Sequence, residues 1–369
     1  MNFDLTEEQQ LLADTTRDVL SRSYDTESRN KTVDSELGWS REVWNQLAEI
    51  GILGLGFDED SGPTEVMVVM TEIGRRLAPE PVAAAALIPG AVIAAHGSPE
   101  PRALLDEVAS GERLLAFAHT EPGRRGSAEL ATRADRDGDS WTVTGRKNPV
   151  LAGDSADLLV VSAALPGGGS GLFLVDGDAA TRHPFRTFDG QRGADVEFDA
   201  APAQPLGTGG DALDVSAGIE AAVIRFQSAL CAEAVGAMDE SLRLTTDYLK
   251  TRKQFGVPLK TFQTLTQRAA DMYVSLELAR SMSLYAAVCV ADGRFDPMVA
   301  ARSKLQIGRS GRHIAQEAIQ LHGGIGVTAE YPIAHYAARL TAIEQTFGSP
   351  TDQLRYLAGR VGDYGTAVL

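Results

Sequence analysis

The first hundred residues carry a helical pattern, in which apolar positions lie three and four residues apart between loops that contain glycine or proline. Thr6 and Gln9 have the spacing of a capping box, which predicts a helix that continues to about Ser21. The same criteria predict three further helical stretches: 40–50, 63–77 and 101–110. Residues 1–112 are therefore predicted to form an N-terminal α-domain.

A different pattern begins near Leu114, where short apolar runs alternate with turn signals such as Asp-Gly and Gly-Gly-Gly-Ser. The runs read LLAFAHTEPG, SWTVTG, LLVVSAA, GLFLV and ADVEFDA. Runs of this length between turns predict antiparallel strands, and no βαβ unit is visible among them. Residues 113–207 are therefore predicted to form a middle antiparallel β-domain.

The helical pattern returns from about Asp211. Residues 212–251 form a long apolar run with small residues that permit close approach between helices, and residues 298–319 form another. Between these runs one apolar face recurs at helical spacing: Leu265, Ala269, Met272, Leu276 and Ala279. Long helices joined by short loops are typical of an antiparallel bundle. Residues 208–369 are predicted to form a C-terminal four-helix bundle, and the chain as a whole belongs to the α+β class.

Composition restricts the partners. The chain has 369 residues, of which 44% are hydrophobic and 23% charged, as in ordinary soluble proteins. Its formal net charge of −16 disfavours binding to nucleic acid or to an anionic membrane. The N-terminal sequence lacks the features of a signal peptide, and no apolar run is predicted to be long enough to span a bilayer. A cytoplasmic protein without nucleic-acid or membrane partners is expected.

Cysteine and histidine indicate neither a disulfide framework nor a metal site. Cys231 and Cys289 both lie in apolar helical runs, which predicts buried free thiols. The six histidines have no metal-ligand spacing.

Two motifs near the C-terminus suit a phosphate-bearing ligand. In Gln320-Leu-His-Gly-Gly-Ile-Gly326, adjacent glycines let the backbone approach a phosphate without a Cβ clash, and a helix end with free N–H groups favours the negative charge. In Arg252-Lys-Gln-Phe255-Gly256, at the end of a long helix, the arginine can form charge-assisted hydrogen bonds to phosphate oxygens. Alone, the second motif is equally well explained as basic residues at a helix C-terminus, where they favour the dipole.

Together and in this order, the two motifs resemble those of the acyl-CoA dehydrogenase family. The succession of α-domain, β-domain and bundle is similar to that family over essentially the whole chain. The resemblance implies FAD as cofactor, with Arg252 and the turn at Gly323 and Gly324 on its pyrophosphate and Phe255 near its adenosine. Four further residues would contact the same part of FAD: Gln254, Phe262, Gln263 and Gln320. These residues together, which would bind the pyrophosphate and adenosine, are called the half-site. In the family's homodimers these motifs serve the flavin of the neighbouring subunit.

The segments that resemble the family's own flavin-ring pocket are incomplete. Thr120 stands in a Thr-Glu-Pro strand end like the family's, and Ser127 is the match for a serine that meets the flavin. Farther along, many members carry Trp-Ile-Thr, where the tryptophan covers the ring and the threonine bonds to it. This chain has Pro149 and Leu151, which offer no N–H and no polar side-chain group respectively. A weakened ring pocket is expected, unless other residues bind the ring here.

The catalytic base expected from the resemblance is also missing. Abstraction of a proton α to a thioester requires a carboxylate over that carbon. The two positions where family members place it are occupied by Phe347 and Phe226. Glu344, about one turn before Phe347 if that segment is helical, is the fallback candidate, although such a residue is more often solvated. Glu220 and Glu233 are the other nearby carboxylates.

The leading hypothesis is a non-base subunit of a heteromeric acyl-CoA dehydrogenase. It would complete FAD sites housed mostly in a paralogous partner chain, within a heterotetramer, for α,β-dehydrogenation of an acyl-CoA. Family precedent suggests a bulky substrate such as a steroid side-chain CoA and an electron-transfer flavoprotein as acceptor. One alternative is a self-sufficient homo-oligomeric dehydrogenase with an unrecognised base. Another is a flavin-dependent monooxygenase of the same fold, against which the retained Arg252 and Gln320 motifs argue.

Overall fold

Helices form both ends of the chain and strands form its middle. In the computed structural model, the described residues are 5–57, 61–123, 129–207 and 213–363. The N-terminal helices are α1 (Glu7–Ser23), α2 (Thr26–Val33), α3 (Arg41–Glu49), α4 (Pro63–Arg76), α5 (Ile88–His96), α6 (Pro99–Arg102) and α7 (Leu105–Ala109). A π-helical turn, Ala83–Leu87, leads directly into α5.

Local sequence signals predict α1, α3 and α4 as separate elements and are less successful for the other helices. Thr6 and Gln9 form the predicted capping box: the Thr6 hydroxyl accepts from the Gln9 N–H at 3.2 Å, and the Gln9 side chain accepts from the Thr6 N–H at 3.1 Å. The helix 101–110 was predicted as one element, whereas the structure has two short helices there. The helical run from Ala83 to His96 was missed because nearly all of it is buried, so no alternation of polar and apolar faces marks it.

The strands are β1 (Leu115–Ala118), β2 (Arg133–Asp137), β3 (Ser140–Leu151), β4 (Leu158–Ala164), β5 (Ser170–Asp176), β6 (Thr181–Arg186) and β7 (Arg192–Pro205). Pairing runs from β4 to β2, β3, β7 and β5 and then returns to β4, so these five strands close into a ring. Strand β1 attaches to β4, and β6 attaches to β7. The core of the sheet is apolar, with Trp141 and Phe173 in contact at a ring-centroid distance of 5.5 Å.

Most strand pairs are antiparallel, as predicted, but two pairings are parallel. Strand β1 runs parallel to β4 over four residues, and β2 meets β4 in parallel at Arg133 and Ala164. Because β2 and β3 lie between β1 and β4 in sequence, this long-range pairing has no local signal. Strands β2 and β6 were not predicted, since they expose most of their side chains.

The C-terminal helices are α8 (Ser216–Thr251), α9 (Gln263–Ala291), α10 (Pro297–His322), α11 (Ile333–Gln345) and α12 (Pro350–Ala358). A small hairpin of β8 (Lys253–Gln254) and β9 (Val257–Pro258) separates α8 from α9. Helix α10 packs against α9, α11 and α12. The predicted α+β class, with a helical bundle after the β-domain, is confirmed.

The chain divides into two compact units. The first contains Met1–Arg29, Met67–Ala78 and Gln227–Leu369, and the second contains Asn30–Val66 and Pro79–Phe226. The predicted domain boundaries, 1–112, 113–207 and 208–369, follow the change from helices to strands and back, and they remain a prediction.

Two glycines allow helices α4 and α8 to touch through their backbones. A Cβ added at Gly236 would lie 1.8 Å from the Thr71 carbonyl oxygen, and one at Gly74 would lie 1.9 Å from the Glu233 carbonyl oxygen. The close helix contact expected from the small residues of α8 is therefore present, and any side chain at either glycine would force the two helices apart.

Helices α8 and α9 are each long and apolar enough to cross a membrane by length and composition. The expectation that no run reaches that length is therefore wrong. The core helix of a soluble protein passes the same test, and 78% of the most apolar window of α8 is buried within the chain. The corresponding window of α9 is only 39% buried.

Candidate functional site

The glycine motif forms an open turn at the C-terminal end of α10. The helix ends at His322, and the N–H of Gly323 donates to the carbonyl of Ile319. Gly323 has a left-handed φ of 65° and begins a short 3₁₀ segment, Gly323–Val327. Both Gly323 and Gly324 are exposed, and a Cβ added at either would meet no atom within 4 Å. Ligand atoms can therefore reach the backbone here.

The turn does not lie at the N-terminus of a long helix. Because it follows the C-terminus of α10, the helix dipole cannot contribute the positive end that the sequence interpretation invoked. The donors for a phosphate would be the N–H groups of the turn and nearby side chains such as exposed Gln320.

The arginine motif forms the exposed hairpin after α8. The Arg252 N–H donates to the Tyr248 carbonyl at 2.8 Å, and the Arg252 carbonyl accepts from the Leu259 N–H at 2.8 Å. The two residues of the hairpin turn, Phe255 and Gly256, have φ values of 51° and 81°, as a type I′ turn requires. The glycine fits this conformation without strain, whereas Phe255 must be held in it.

The predicted half-site residues are exposed, except for Phe262, which is half-buried. Phe255 is 90% exposed and makes an edge contact with Phe262 at a centroid distance of 6.1 Å. The polar and basic members of the group are also exposed: Arg252, Gln254, Gln263 and Gln320. A guanidinium, an open glycine backbone and an uncovered aromatic ring suit a ligand with both a diphosphate and an aromatic base. The residues present therefore fit the pyrophosphate and adenosine parts of FAD.

His322 brings the two motifs together. Its ring lies 4.6 Å from that of Tyr248, one helical turn before Arg252, while His322 itself directly precedes Gly323. The contact thus joins the ends of α8 and α10, from which the hairpin and the glycine turn emerge. The sequence interpretation treated His322 only as a histidine without metal spacing.

The two segments expected around a flavin ring are joined by a backbone hydrogen bond, but they offer the ring few polar side chains. Thr120 follows β1, and its carbonyl accepts from the Asn148 N–H at 2.8 Å. Pro149 is exposed, and Leu151 is half-buried at the end of β3. Ser127 lies outside the described residues. At positions 149 and 151, therefore, the side chains offer no hydrogen bond to a flavin.

A buried ion pair between Lys147 and Glu121 was missed by the sequence interpretation. The Lys147 Nζ donates to the Glu121 carboxylate at 2.8 Å, to the His119 carbonyl at 3.1 Å and to the Ser162 hydroxyl at 3.2 Å. Glu121 also accepts from the N–H groups of Ala131 and Thr132 at 2.7 and 2.9 Å. Through the bonds to Ala131 and Thr132, Glu121 joins the two ends of the segment between β1 and β2, and Lys147 links it to β3. The partners of the ion pair lie 26 residues apart, and no local pattern links them.

The pKa of Glu121 and that of neighbouring His119 are both lowered at this ion pair. Burial acts to raise the pKa of Glu121, but the hydrogen bonds from Lys147, Ala131 and Thr132 outweigh it and lower this pKa to about 2. Burial and the Lys147 charge lower the pKa of His119 to about 4. His119 is therefore neutral at pH 7.

Acidification is expected to destabilise the protein through His119. Its ordinary pKa of 6.5 applies to the unfolded chain, so between pH 6.5 and 4 the unfolded state binds a proton that the folded state does not. Stability should fall by about 2 kcal/mol from pH 7 to pH 5 on this account. Urea unfolding at both pH values, compared between wild type and His119→Leu, measures the difference. Replacement of exposed His183 by glutamine should leave the pH-dependent loss intact, and an equal loss in His119→Leu would contradict the assignment.

Phe347, at the first expected base position, lies beyond the end of α11. Its φ of 54° is left-handed, which is rare for a bulky side chain. Its carbonyl accepts from the side-chain amides of Gln227 and Gln353 at 2.9 and 3.1 Å, and these bonds hold the turn. Phe226, at the second position, is buried within α8. Neither position carries an acid.

The fallback base, Glu344, is buried, whereas a solvated side chain was the common expectation. It also does not lie one helical turn before Phe347, because α11 ends at Gln345. It is 4% exposed and forms an ion pair with Arg312, while the neighbouring carbonyl of Ile343 accepts from buried Lys304. The other two candidates differ from each other. Glu220 is exposed, whereas Glu233 is buried in a two-point ion pair with Arg339, at 2.5 and 2.8 Å.

Both cysteines are free and buried, as predicted. Across the described ranges, no group of three or more histidine, cysteine, aspartate or glutamate side chains is arranged to hold a metal ion.

Family models match both helical parts of the chain. The acyl-CoA dehydrogenase N-terminal domain matches residues 6–112, and the acyl-CoA dehydrogenase C-terminal domain matches residues 223–361. These matches contain α1–α7 and nearly all of α8–α12.

Individual relatives match along almost the full length. Acyl-CoA dehydrogenase IpdE2 of Mycolicibacterium smegmatis is 28% identical over 365 residues, which cover 97% of this chain and 100% of the relative. A variant of the Tcur3481-Tcur3483 steroid ACAD is 31% identical with a TM-score of 0.89, covering 97% of this chain and 98% of that one. The ChsE4-ChsE5 complex of Mycobacterium tuberculosis is 25% identical with a TM-score of 0.89, covering 99% and 100%. The chain therefore belongs to the acyl-CoA dehydrogenase family, whose members depend on FAD.

Proposed function

We propose that this chain is the non-base subunit of a heteromeric acyl-CoA dehydrogenase and completes the FAD sites of a paralogous partner. The observation that carries the proposal is a combination. The half-site at Arg252 and Gly323 is retained and exposed, while phenylalanine occupies both base positions, Phe226 and Phe347. A chain that kept the family's mode of proton abstraction would carry a carboxylate at one of them.

The proposed division of labour follows from the side chains. When bound, FAD accepts the β-hydride of the acyl-CoA, and a carboxylate of the partner takes the α-proton. In this chain, Arg252 would bind the pyrophosphate, the Gly323–Gly324 backbone would donate to it, and Phe255 would pack against the adenosine. The ion-paired state of Glu344 disfavours it as a substitute base, because Arg312 stabilises its carboxylate in place.

An apolar surface supports association with another chain. Helix α9 exposes large apolar side chains over much of its length: Tyr273 by 54%, Val274 by 58%, Leu278 by 52% and Tyr285 by 42%. Such a row on an otherwise soluble protein is typical of a protein–protein interface. A short 3₁₀ segment, Leu259–Thr261, separates the hairpin that carries Phe255 from α9, so the half-site and the apolar row belong to neighbouring parts of the chain.

The partner and substrate classes are proposed from the relatives. Two of the similar structures are named as pairs of chains, ChsE4-ChsE5 and Tcur3481-Tcur3483, and the second is described as a steroid ACAD. We therefore propose a paralogous acyl-CoA dehydrogenase chain as partner, in a heterotetramer, and a bulky acyl-CoA such as a steroid side-chain thioester as substrate. An electron-transfer flavoprotein would reoxidise the flavin, and the complex would be cytoplasmic.

The direct test is flavin per chain, measured by absorbance on this protein purified alone and after co-expression with a paralogous chain. The proposal predicts no tightly held flavin alone and about one per heterodimer. One flavin per chain without a partner would contradict it and favour a homo-oligomeric dehydrogenase with Glu344 as the base to test.

Arg252→Ala is expected to remove flavin from the co-expressed complex. Hydrogen bonds to charged groups contribute about 1.5–3 kcal/mol, so the Kd for FAD should rise at least tenfold, which is enough to lose flavin during gel filtration. The matched control is Arg22→Ala, since Arg22 is an exposed arginine of α1 outside the half-site. A complex that keeps one flavin per heterodimer after Arg252→Ala would exclude this role of the arginine.

A further inference from the structure

The ring of His322 is held in one tautomer by its neighbours. Its Nδ1 lies 2.8 Å from the Ala318 carbonyl oxygen, which can only accept, so Nδ1 carries the proton. Burial lowers the pKa of His322, and the ring is therefore neutral at pH 7. The unprotonated Nε2 is then an acceptor, and it lies 3.2 Å from the hydroxyl of Tyr331, which donates to it.

This hydrogen bond closes the glycine loop at its base. His322 is the last residue of α10 and Tyr331 lies two residues before α11, so the residues between them form an eight-residue loop, 323–330. Inside the loop, the Ile325 carbonyl accepts from the Thr328 N–H at 3.2 Å and from the Thr328 hydroxyl at 3.1 Å, and the Ala329 carbonyl accepts from Nε2 of His335 in α11 at 2.8 Å. Gly323 and Gly324 have no side chains to fix them. The His322–Tyr331 hydrogen bond joins the residue before the loop to the residue after it, and it restrains the path of the loop together with these bonds.

The same ring also contacts the helix that leads into the arginine hairpin. The rings of His322 and Tyr248 lie 4.6 Å apart, and those of His322 and Tyr331 lie 5.0 Å apart. One buried ring thus contacts the final turns of α8, the end of α10 and the segment that enters α11, all within the first compact unit.

We propose that His322 and Tyr331 are positioning residues that hold the glycine turn in register with the Arg252 hairpin, so that both engage one FAD pyrophosphate. The inference rests on the proposed function, because the flavin concerned is the one shared with the partner chain. Neither residue needs to touch the cofactor: His322 is 4% exposed and acts through the backbone on either side of it.

Tyr331→Phe tests this role with the smallest possible change, since it removes only the hydroxyl. In the co-expressed complex, stripped of flavin and titrated with FAD, the Kd should rise about two- to tenfold, as expected for the loss of one neutral hydrogen bond. His322→Asn, which keeps a donor for the Ala318 carbonyl but cannot reach Tyr331, should raise the Kd by a similar factor. The two changes should not add, because each breaks the same bond.

The matched control is Tyr336→Phe. The Tyr336 hydroxyl is also buried in this unit and donates to the Arg75 carbonyl at 2.6 Å, away from the loop. Its loss should lower thermal stability without changing the Kd for FAD, whereas Tyr331→Phe should change the Kd even at temperatures far below unfolding. A purely structural role would make the two variants alike.

The outcomes separate this inference from the proposed function. If Arg252→Ala removes flavin but Tyr331→Phe leaves the Kd within twofold of wild type, the positioning role is wrong and the half-site stands. If Arg252→Ala also leaves the Kd unchanged, the half-site itself is wrong, and the positioning role fails with it.

Discussion

Gly236→Ala is expected to unfold the first compact unit, which contains both Thr71 and Gly236, under conditions where the wild type is stable. The new Cβ would lie 1.8 Å from the Thr71 carbonyl oxygen and 2.8 Å from the Arg75 backbone nitrogen. Both neighbours belong to the backbone of α4, so no side-chain rotation relieves the clash, and the two helices must separate. The expected cost is about 3 kcal/mol or more, at the upper end for overpacking. Thermal unfolding followed by far-UV circular dichroism measures it.

The structure offers a matched control and a second readout. Gly311 is also a buried glycine of a long helix, but a Cβ there would meet its nearest atom at 3.5 Å, so Gly311→Ala should be neutral or stabilising by up to about 1 kcal/mol. Hydrogen exchange should show faster opening of α4 and α8 in Gly236→Ala only. Equal behaviour of the two variants would mean that α4 and α8 do not pack as described.

Lys147→Met is expected to destabilise the strand-containing unit by about 3–5 kcal/mol. The substitution leaves the Glu121 carboxylate, 6% exposed, without its cationic partner, and an uncompensated buried charge is costly. All three tryptophans, Trp39, Trp44 and Trp141, belong to this unit. Tryptophan fluorescence during urea unfolding therefore reports on it directly.

Two further variants define the origin of that effect. Adding Glu121→Gln to Lys147→Met removes the orphaned charge and keeps an acceptor oxygen for one of the two N–H groups, those of Ala131 and Thr132, so the double variant should be more stable than the single one. Exposed Lys31→Met should change stability by no more than about 0.5 kcal/mol. If Lys147→Met behaved like Lys31→Met, the buried pair would have no special importance.

Local signals in the sequence were sufficient for much of the fold. The capping box at Thr6, the strand-length apolar runs after Leu114 and the long helical patterns after residue 212 all correspond to elements of the structure. Each of these signals is formed by residues close together in sequence, so a short stretch of sequence is enough to predict the element. The family motifs could be found for the same reason, since each occupies fewer than eight consecutive residues.

The features that could not be predicted depend on residues distant in sequence or on burial. The parallel pairing of β1 with β4 and the Lys147–Glu121 pair both join segments separated by at least 25 residues. The ion pair of Glu344 with Arg312 depends on how α10 meets α11. Strand β2 has one buried side chain, Ala134, and so lacks the alternation by which a strand is recognised.

The candidate site shows the same division. The residue types of the half-site were predicted from two motifs, and the structure places Arg252, Phe255 and the glycines at exposed positions, which leaves their binding roles as predictions. The contact of His322 with Tyr248 and Tyr331 was missed, because the three rings come from separate segments and only the tertiary fold brings them together.

The ring of five strands limits the strand edges through which the β-domain could aggregate. In this seven-stranded sheet each strand of the ring has at least two partners, although β2 meets β4 at one residue pair only, and among its described strands β1 and β6 have a single partner. Unpaired edges invite strand addition and aggregation. Here β1 is four residues long with every side chain buried, and β6 carries Arg182, Pro184 and Arg186, the charges and proline that discourage such pairing. The sheet therefore leaves little opening for intermolecular β-pairing.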